Sequence, residues 1–374
     1  PLWSRGLGDV YKRQVRDGAG QDHPFATAAG AVFAAVRQAD TGTDRCIQYG
    51  FIRIAAKLAT TRLNSYLERH TISIMKIKSA NKHFGKPRLL ILGCGDVGMR
   101  LLPLLRDRFR IFAVTTQVSR QEELRAAGAI PIIASLDEPD TLARLARLAS
   151  TIVHLAPPPS DGKLDKRTRN LTAILPDHAT LVYVSTSGVY GDCGGEWIDE
   201  TRAVRPHNLR ARRRVDAEQV LRRWALRAHA RLGILRVPGI YADDRLPVER
   251  LQKGLPALLE AEDVYTNHIH AEDLARIIAL AIFRAQPGRV YHAVDDTDLR
   301  MGDYFDTVAD ALSLPRPPRL PRAELERQVS PMMLSFMSES RRLSNQRIKG
   351  ELGFRLRYPR VADALAGMQD KAGQ

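Results

Sequence analysis

The stretch Leu89-Leu90-Ile91-Leu92-Gly93-Cys94-Gly95-Asp96-Val97-Gly98 narrows sharply what this chain can fold into. An apolar run of strand character enters a G-x-G-x-x-G turn, and residues 99–105 read as the start of a helix. Each glycine has its own physical task. Gly93 takes the tight turn, Gly95 admits a pyrophosphate against bare backbone, and Gly98 lets helix and strand pack closely. The first helical N–H groups, around Asp96 and Val97, then face the phosphates. The implied unit is a dinucleotide-binding turn.

From residue 88 onward, short apolar strands alternate with helical patterns. Strands are expected at 111–116, 130–136, 151–156, 181–186 and 232–237, with helices between them. Ser119-Arg120-Gln121-Glu122 has capping-box spacing, and Asp137 is placed to cap the following helix. Pro103 inside the first helix predicts a bend. Beyond 240 the rhythm loosens: helices are expected at 246–260, 271–283 and 303–312, a strand at 290–294, a proline-rich loop at 315–321 and a basic segment at 338–358. The fold class expected is α/β, a doubly wound parallel sheet with a smaller C-terminal α+β lobe. The division is 75–240 for the nucleotide-binding part and 241–374 for a substrate-side lobe interleaved with the sheet.

Of 374 residues, 44% are apolar, enough for a full core, and the net charge is +15. The positive balance suits an anionic substrate or reflects an arginine-rich composition. No lysine-rich tail or aromatic-basic motif points to nucleic acid. Cys46, Cys94 and Cys193 form neither a spaced metal set nor a disulfide framework, so no metal is expected and a cytoplasmic location is the simplest expectation.

The first 74 residues read as foreign to the rest. Residues 4–14 resemble the conceptual translation of a sequencing-library adapter, and the first methionine is Met75. Residues 1–74 are therefore expected to be a non-native extension, disordered or loosely helical. The apolar stretch 25–36 is too short for a bilayer span, which needs about 20 residues, so no membrane partner is expected.

Four stretches of 88–366 together resemble the extended and atypical short-chain dehydrogenase/reductases, the NAD-dependent epimerase/dehydratase superfamily. They are the glycine turn, Val184-Ser185-Thr186-Ser187-Gly188-Val189-Tyr190-Gly191, Leu235-Arg236-Val237-Pro238-Gly239-Ile240-Tyr241, and Asn267-His268-Ile269-His270-Ala271-Glu272-Asp273-Leu274-Ala275. The glycine spacing is that of atypical members. The resemblance implies cofactor contacts from Gly93, Gly95, Asp96, Val97, Gly98, Leu155, Ala156, Thr186, Arg214 and Pro238. It also implies a Tyr-x-x-x-Lys pair, in which the lysine lowers the tyrosine pKa. Here the aligned helix carries Arg210 and Arg214 at those positions. Arginine stays protonated and cannot relay a proton near neutrality.

NAD-binding turns place an acid about 20 residues after the glycines, on the ribose 2′-hydroxyl. The window 111–120 has none and offers Thr115, Thr116, Ser119 and Arg120. A 2′-phosphate suits these groups, so NADP is expected, with NAD left open.

Thr186, Tyr190 and His270 are the candidate catalytic residues. Hydride would pass between the nicotinamide and a substrate carbon near Thr186, with the proton carried by water, Tyr190 or a histidine of the 267–270 junction. Each candidate has a plainer reading. Tyr190 and Pro238 also suit packing, His268 and His270 structural hydrogen bonds, His154 a core position, and Cys94 a small residue at a helix start. Asp137 either approaches the adenine or caps a helix, and Asp273 caps or fixes its junction. Arg210, Arg212, Arg213 and Arg214 either clamp an anion or form a solvated face. The expectation is an NADP-dependent oxidoreductase or epimerase-like protein acting on a small polar or anionic, sugar-nucleotide-like ligand. The alternative is a non-catalytic NADP(H)-binding or redox-sensing protein. A homodimer is left open.

Overall fold

The computed structural model describes residues 85–372. The expectations for 1–74, Met75 and Cys46 lie outside the described residues. Seven parallel strands make the central sheet: β1 (Arg88–Leu92), β2 (Arg110–Thr115), β3 (Ile130–Ile133), β4 (Thr151–His154), β5 (Thr180–Thr186), β6 (Arg231–Val237) and β9 (Arg289–His292). Between the last two in sequence, β7 (Gly239–Tyr241) and β8 (His268–His270) pair with each other in parallel, His268 opposite Gly239. The sheet order is β3-β2-β1-β4-β5-β6-β9. The chain reverses direction across the sheet between β1 and β4, and a crevice opens there at the carboxyl ends of the strands, where α/β proteins bind ligands.

The helices are α1 (Asp96–Leu105), α2 (Gln121–Ala126), α3 (Lys166–Thr172), α4 (Leu209–Arg227), α5 (Ala271–Arg284), α6 (Met301–Ala311) and α7 (Val361–Ala372). Because the central strands are covered on both faces, they read as nearly unbroken apolar runs. On one face, Leu101, Leu102 and Leu105 of α1 share a core with Ile277, Ile278 and Ala281 of α5. On the other, Leu171 of α3 and Ala217, Leu221 and Trp224 of α4 pack under Leu90, Ile152, Leu181 and Ile234. A third core joins Tyr241 and Leu251 to Tyr304, Phe305 and Val308 of α6 and to Val361 and Leu365 of α7. Helix α5 and strand β9, both later than residue 240, thus belong to the layers of the nucleotide sheet.

Several local expectations need correction. The helix expected at 246–260 runs only over Val248–Gln252, because Gly254 takes a left-handed φ of +60° and Pro256 follows. Ala257–Leu258 then pairs as a short parallel strand with Arg319–Leu320, inside the expected loop. Ser119 does not cap α2. It lies in a 3₁₀ turn (Val118–Arg120), and the N-cap residue is Arg120, which makes no side-chain cap. Asp137 caps nothing, because the next helical turn starts after Glu138 and the Asp137 carboxylate is drawn to Arg167, at 2.6 and 2.8 Å. Strand β3 stops at Ile133 rather than 136. Pro103 sits in the last turn of α1, which ends two residues later.

Candidate functional site

The glycine turn is a main-chain construction. Gly93 has φ +81°, and a Cβ there would lie 2.6 Å from the Ala156 nitrogen. Ala156 and Leu155 are held in place by donating their N–H groups to the Leu92 carbonyl, at 3.0 and 2.9 Å. Gly98 faces Cys94, whose Sγ would be 2.9 Å from an added Cβ. Gly95, the N-cap of α1, is different: a Cβ there would meet nothing within 4 Å. Bare backbone at a helix start, open to a cavity, is the surface that a pyrophosphate needs. The residues present therefore fit a dinucleotide.

Asp96 turns away from that task. Its carboxylate accepts from Arg100 at 2.9 Å and from Arg245 at 2.8 Å. Burial raises its pKa, but these two hydrogen bonds outweigh it and hold the group below the usual range. Val97 packs against the core beside α1. Cys94 is buried, and burial pushes its thiol up to about 11, so it stays protonated.

A cavity of about 360 Å³ opens beside the turn, lined by Gly93, Gly95, Thr115, Thr116, Arg120 and Ala156 together with Asp137 and Arg167. Arg120 reaches back to the turn: Nη1 donates to the Cys94 carbonyl at 2.6 Å, while Nε donates to Glu123 at 2.9 Å. Of the residues expected to hold a cofactor, Gly93, Gly95, Thr115, Thr116, Arg120 and Ala156 are brought together here, whereas Asp96, Val97, Gly98 and Leu155 are not part of the lining.

A second cavity, of about 500 Å³, lies between α4 and the C-terminal lobe. Thr186, Arg210, Arg214 and Pro238 line it. Arg210 and Arg214, four residues apart, share one face of α4, and Asn208 caps that helix by accepting from the Ala211 N–H at 2.9 Å. Thr186 Oγ1 accepts from the Gly188 N–H at 3.2 Å. Arg214 Nη1 donates to the Tyr183 hydroxyl at 3.1 Å and to the Val184 carbonyl at 2.9 Å. Sequence reasoning missed the far wall, where Tyr265, Phe336, Glu339 and Arg341 stand. Its one local signal was Asn267: Nδ2 donates to the Arg341 carbonyl and Oδ1 accepts from the Leu343 N–H, both at 2.8 Å, which pins this late segment to the junction.

Two of the three catalytic candidates stand off both cavity linings. Tyr190 is 1% exposed, and its hydroxyl lies 2.5 Å from His292 Nε2 and 2.8 Å from Arg236 Nη1. His292 Nδ1 lies 3.0 Å from the Ser344 carbonyl, which only accepts, so Nδ1 carries the proton and Nε2 takes the tyrosine's. With proton and lone pair both committed and burial pushing its pKa up to about 12, Tyr190 is a packing residue. His270 is also buried. Its Nδ1 accepts from the Glu272 N–H at 3.2 Å, capping α5, and its ring lies 3.8 Å from that of Tyr358. His268, on the same strand, does line the cavity, stacked on Tyr304 at 4.1 Å, and burial depresses its pKa to about 3. His154 is a core histidine bonded to Thr168, likewise pushed down to about 3 by burial. Asp273 fixes its junction by accepting from the Arg357 and Tyr358 N–H groups at 2.9 and 2.8 Å.

Arg236 on β6 and Glu218 on α4 form a buried pair at 2.7 Å, with Ser185 donating to Glu218 at 2.6 Å. This cluster holds α4 to the sheet. Among the described residues there is no group of three or more His, Cys, Asp or Glu side chains able to hold a metal, and no helix long and apolar enough to cross a membrane.

No protein-family model and no curated protein matches the sequence. Solved structures do. A conserved protein of unknown function from Silicibacter pomeroyi DSS is 30% identical, with TM-score 0.64, over 77% of this chain and 100% of that one. A protein from Methylobacillus flagellatus, provisionally assigned as an NAD-dependent epimerase/dehydratase, is 26% identical, with TM-score 0.58, over 78% and 100%. UDP-glucose 4-epimerase from Thermus thermophilus, solved with NAD, shares the fold at 20% identity and TM-score 0.61, over 75% and 99%. With its parallel sheet and glycine turn, the chain is structurally similar across most of its length to the NAD-dependent epimerase/dehydratase family.

Proposed function

We propose that the chain binds NADP at the glycine turn and acts as an oxidoreductase or epimerase-like enzyme on a small polar, anionic ligand held against α4. The observation that carries this reading is the single lining that joins Thr186, Arg210 and Arg214 beside Pro238. Sugar nucleotides are one class of such ligand, in keeping with MoeE5, a 20% identical structure described with UDP-glucuronic acid and NAD. Bound NADP supplies hydride exchange at its nicotinamide. The chain's residues do the rest: Thr186 meets a ligand oxygen, and Arg214, anchored to β5, keeps a fixed positive charge beside it. Such a charge stabilises developing negative charge without moving a proton. For the proton, water replaces Tyr190 and His270, because burial keeps His268 neutral.

NADP rather than NAD is supported by the hydroxyls of Thr115 and Thr116, by Arg120, and by the lack of an acid at the end of β2. Arg120→Ala is expected to weaken NADP about tenfold and leave NAD nearly unchanged. A titration in which the parent prefers NAD by more than about tenfold overturns the assignment.

A second reading is NADP(H) binding or sensing without turnover. It is favoured by the arginines at both positions of the usual pair and by the sealed Tyr190. Loss of nicotinamide absorbance on addition of a carbonyl or sugar-nucleotide substrate supports the enzyme. Tight NADPH binding with no oxidation across a broad panel supports the sensor.

A further inference from the structure

Four arginines line the α4 cavity against one carboxylate, Glu339. Three of the four are engaged with the protein. Arg214 donates to Tyr183 and Val184, and Arg245 to Asp96. Arg341 Nη1 donates to the Gly191 carbonyl and to Glu339, both at 2.8 Å. Among the described residues, no carboxylate stands within ion-pair distance of Arg210. Its guanidinium lies 4.6 Å above the Phe336 ring, and burial, reinforced by Arg214 and Arg213, lowers its pKa against the opposing pull of Glu339. On the facing wall, Arg341 Nε is buried with no hydrogen-bond partner.

We infer that Arg210, with Arg341 beside Glu339, is the seat of a substrate oxyanion, a carboxylate or a phosphate. The inference deepens the proposed function and rests on its reading of this cavity as the substrate site. A guanidinium beside like charges, with no carboxylate at ion-pair distance, is poorly compensated by the protein alone, and an anion supplies the missing charge. The fork of a guanidinium matches two oxygens of a carboxylate or phosphate, which an ammonium does not. The cofactor phosphates are not the occupant, because the linings of this cavity and of the cavity at the turn share no residue. Arg210 and Arg212 are both solvent-exposed, but only Arg210 lines the cavity, so Arg212 serves as the control on the same helix. The position where the family resemblance implies a proton-donating tyrosine thus selects the charge of the substrate.

The test is calorimetric titration of inorganic phosphate into the full chain, with and without saturating NADP, in the parent and in Arg210→Met, Arg210→Lys and Arg212→Met. Phosphate affinity is expected to fall at least about tenfold in Arg210→Met, to fall less in Arg210→Lys, and to be unchanged in Arg212→Met. Circular dichroism melts of the variants establish that they fold, and Arg210→Lys keeps the test informative should the methionine variant not fold. Equal phosphate binding in the parent and both Arg210 variants overturns the inference, as does an equal loss in Arg212→Met or no binding to the parent. Failure of NADPH to bind the parent overturns the proposed function instead, and the titration without NADP still reads the oxyanion seat.

Discussion

At the glycine turn the wall of the cavity is main chain, whereas along α4 it is side chain. Gly93, Gly95 and Gly98 shape the first by what they lack, within six residues of sequence. The second is assembled from Thr186 on β5, Arg210 and Arg214 on α4, Pro238 after β6, the 265–268 junction and the late wall at 336–341. A backbone site tolerates little change and leaves a compact trace in sequence. A side-chain site exchanges its chemistry one residue at a time while the fold stands, as the two arginines on α4 illustrate.

Four substitutions probe that contrast. The largest effect is expected from Arg236→Met, which strands the buried Glu218 carboxylate and unbolts α4. Breaking a buried pair from one side costs about 3–5 kcal/mol, and urea denaturation reads it. A cost below about 1 kcal/mol removes the pair from the account of how the side-chain cavity is held. Next, Gly93→Ala forces a Cβ against the Ala156 backbone at positive φ, with an expected loss of about 3 kcal/mol in the same assay.

The third concerns Asp295, 3% exposed, whose Oδ1 accepts from the Thr297 N–H at 2.9 Å while Oδ2 lacks a partner. Burial outweighs the opposing pull of Thr297 and of the Tyr241 hydroxyl and raises its pKa from 3.8 to about 7. Between those values the folded protein keeps a proton that the unfolded chain has released, so this group's contribution to stability falls as pH rises through the window. The contribution is lost above about pH 7. Asp295→Asn is expected to gain on the parent by about 2 kcal/mol between pH 5 and pH 8. A difference that stays constant with pH refutes the assignment. The smallest effect on stability belongs to Gly95→Ala: the melting temperature holds, because the Cβ meets open space, while NADPH affinity falls about tenfold. Together the two glycine variants separate a glycine needed by the fold from one needed by the ligand.

Much of the sheet was legible because buried parallel strands are continuous apolar runs bounded by polar turns. The expected strand 232–237 differs from β6 by one residue. Residues 246–260 misled because leucines at near-helical spacing hid the effect of Gly254 and Pro256. The cofactor turn was legible for the same reason that it is rigid, since its geometry is local. Tyr190 was not, because the groups that claim its hydroxyl lie 46 and 102 positions away. Arg341 was invisible as a cavity residue until Asn267, 74 positions earlier, was seen to hold its carbonyl.

Strand β9 brings a consequence for synthesis on the ribosome. It adds to β6 from residues 289–292, after the chain has left the sheet, made β7 and β8 and returned through α5. Until those residues emerge the outer edge of β6 is an unpaired strand, and until residue 284 emerges α1 lacks the helix that covers it. At about 5–20 residues per second, that interval lasts several seconds. The nascent nucleotide sheet therefore passes through a stage with a bare edge, the condition under which strands recruit wrong partners. Early release or truncation before residue 292 leaves that edge bare.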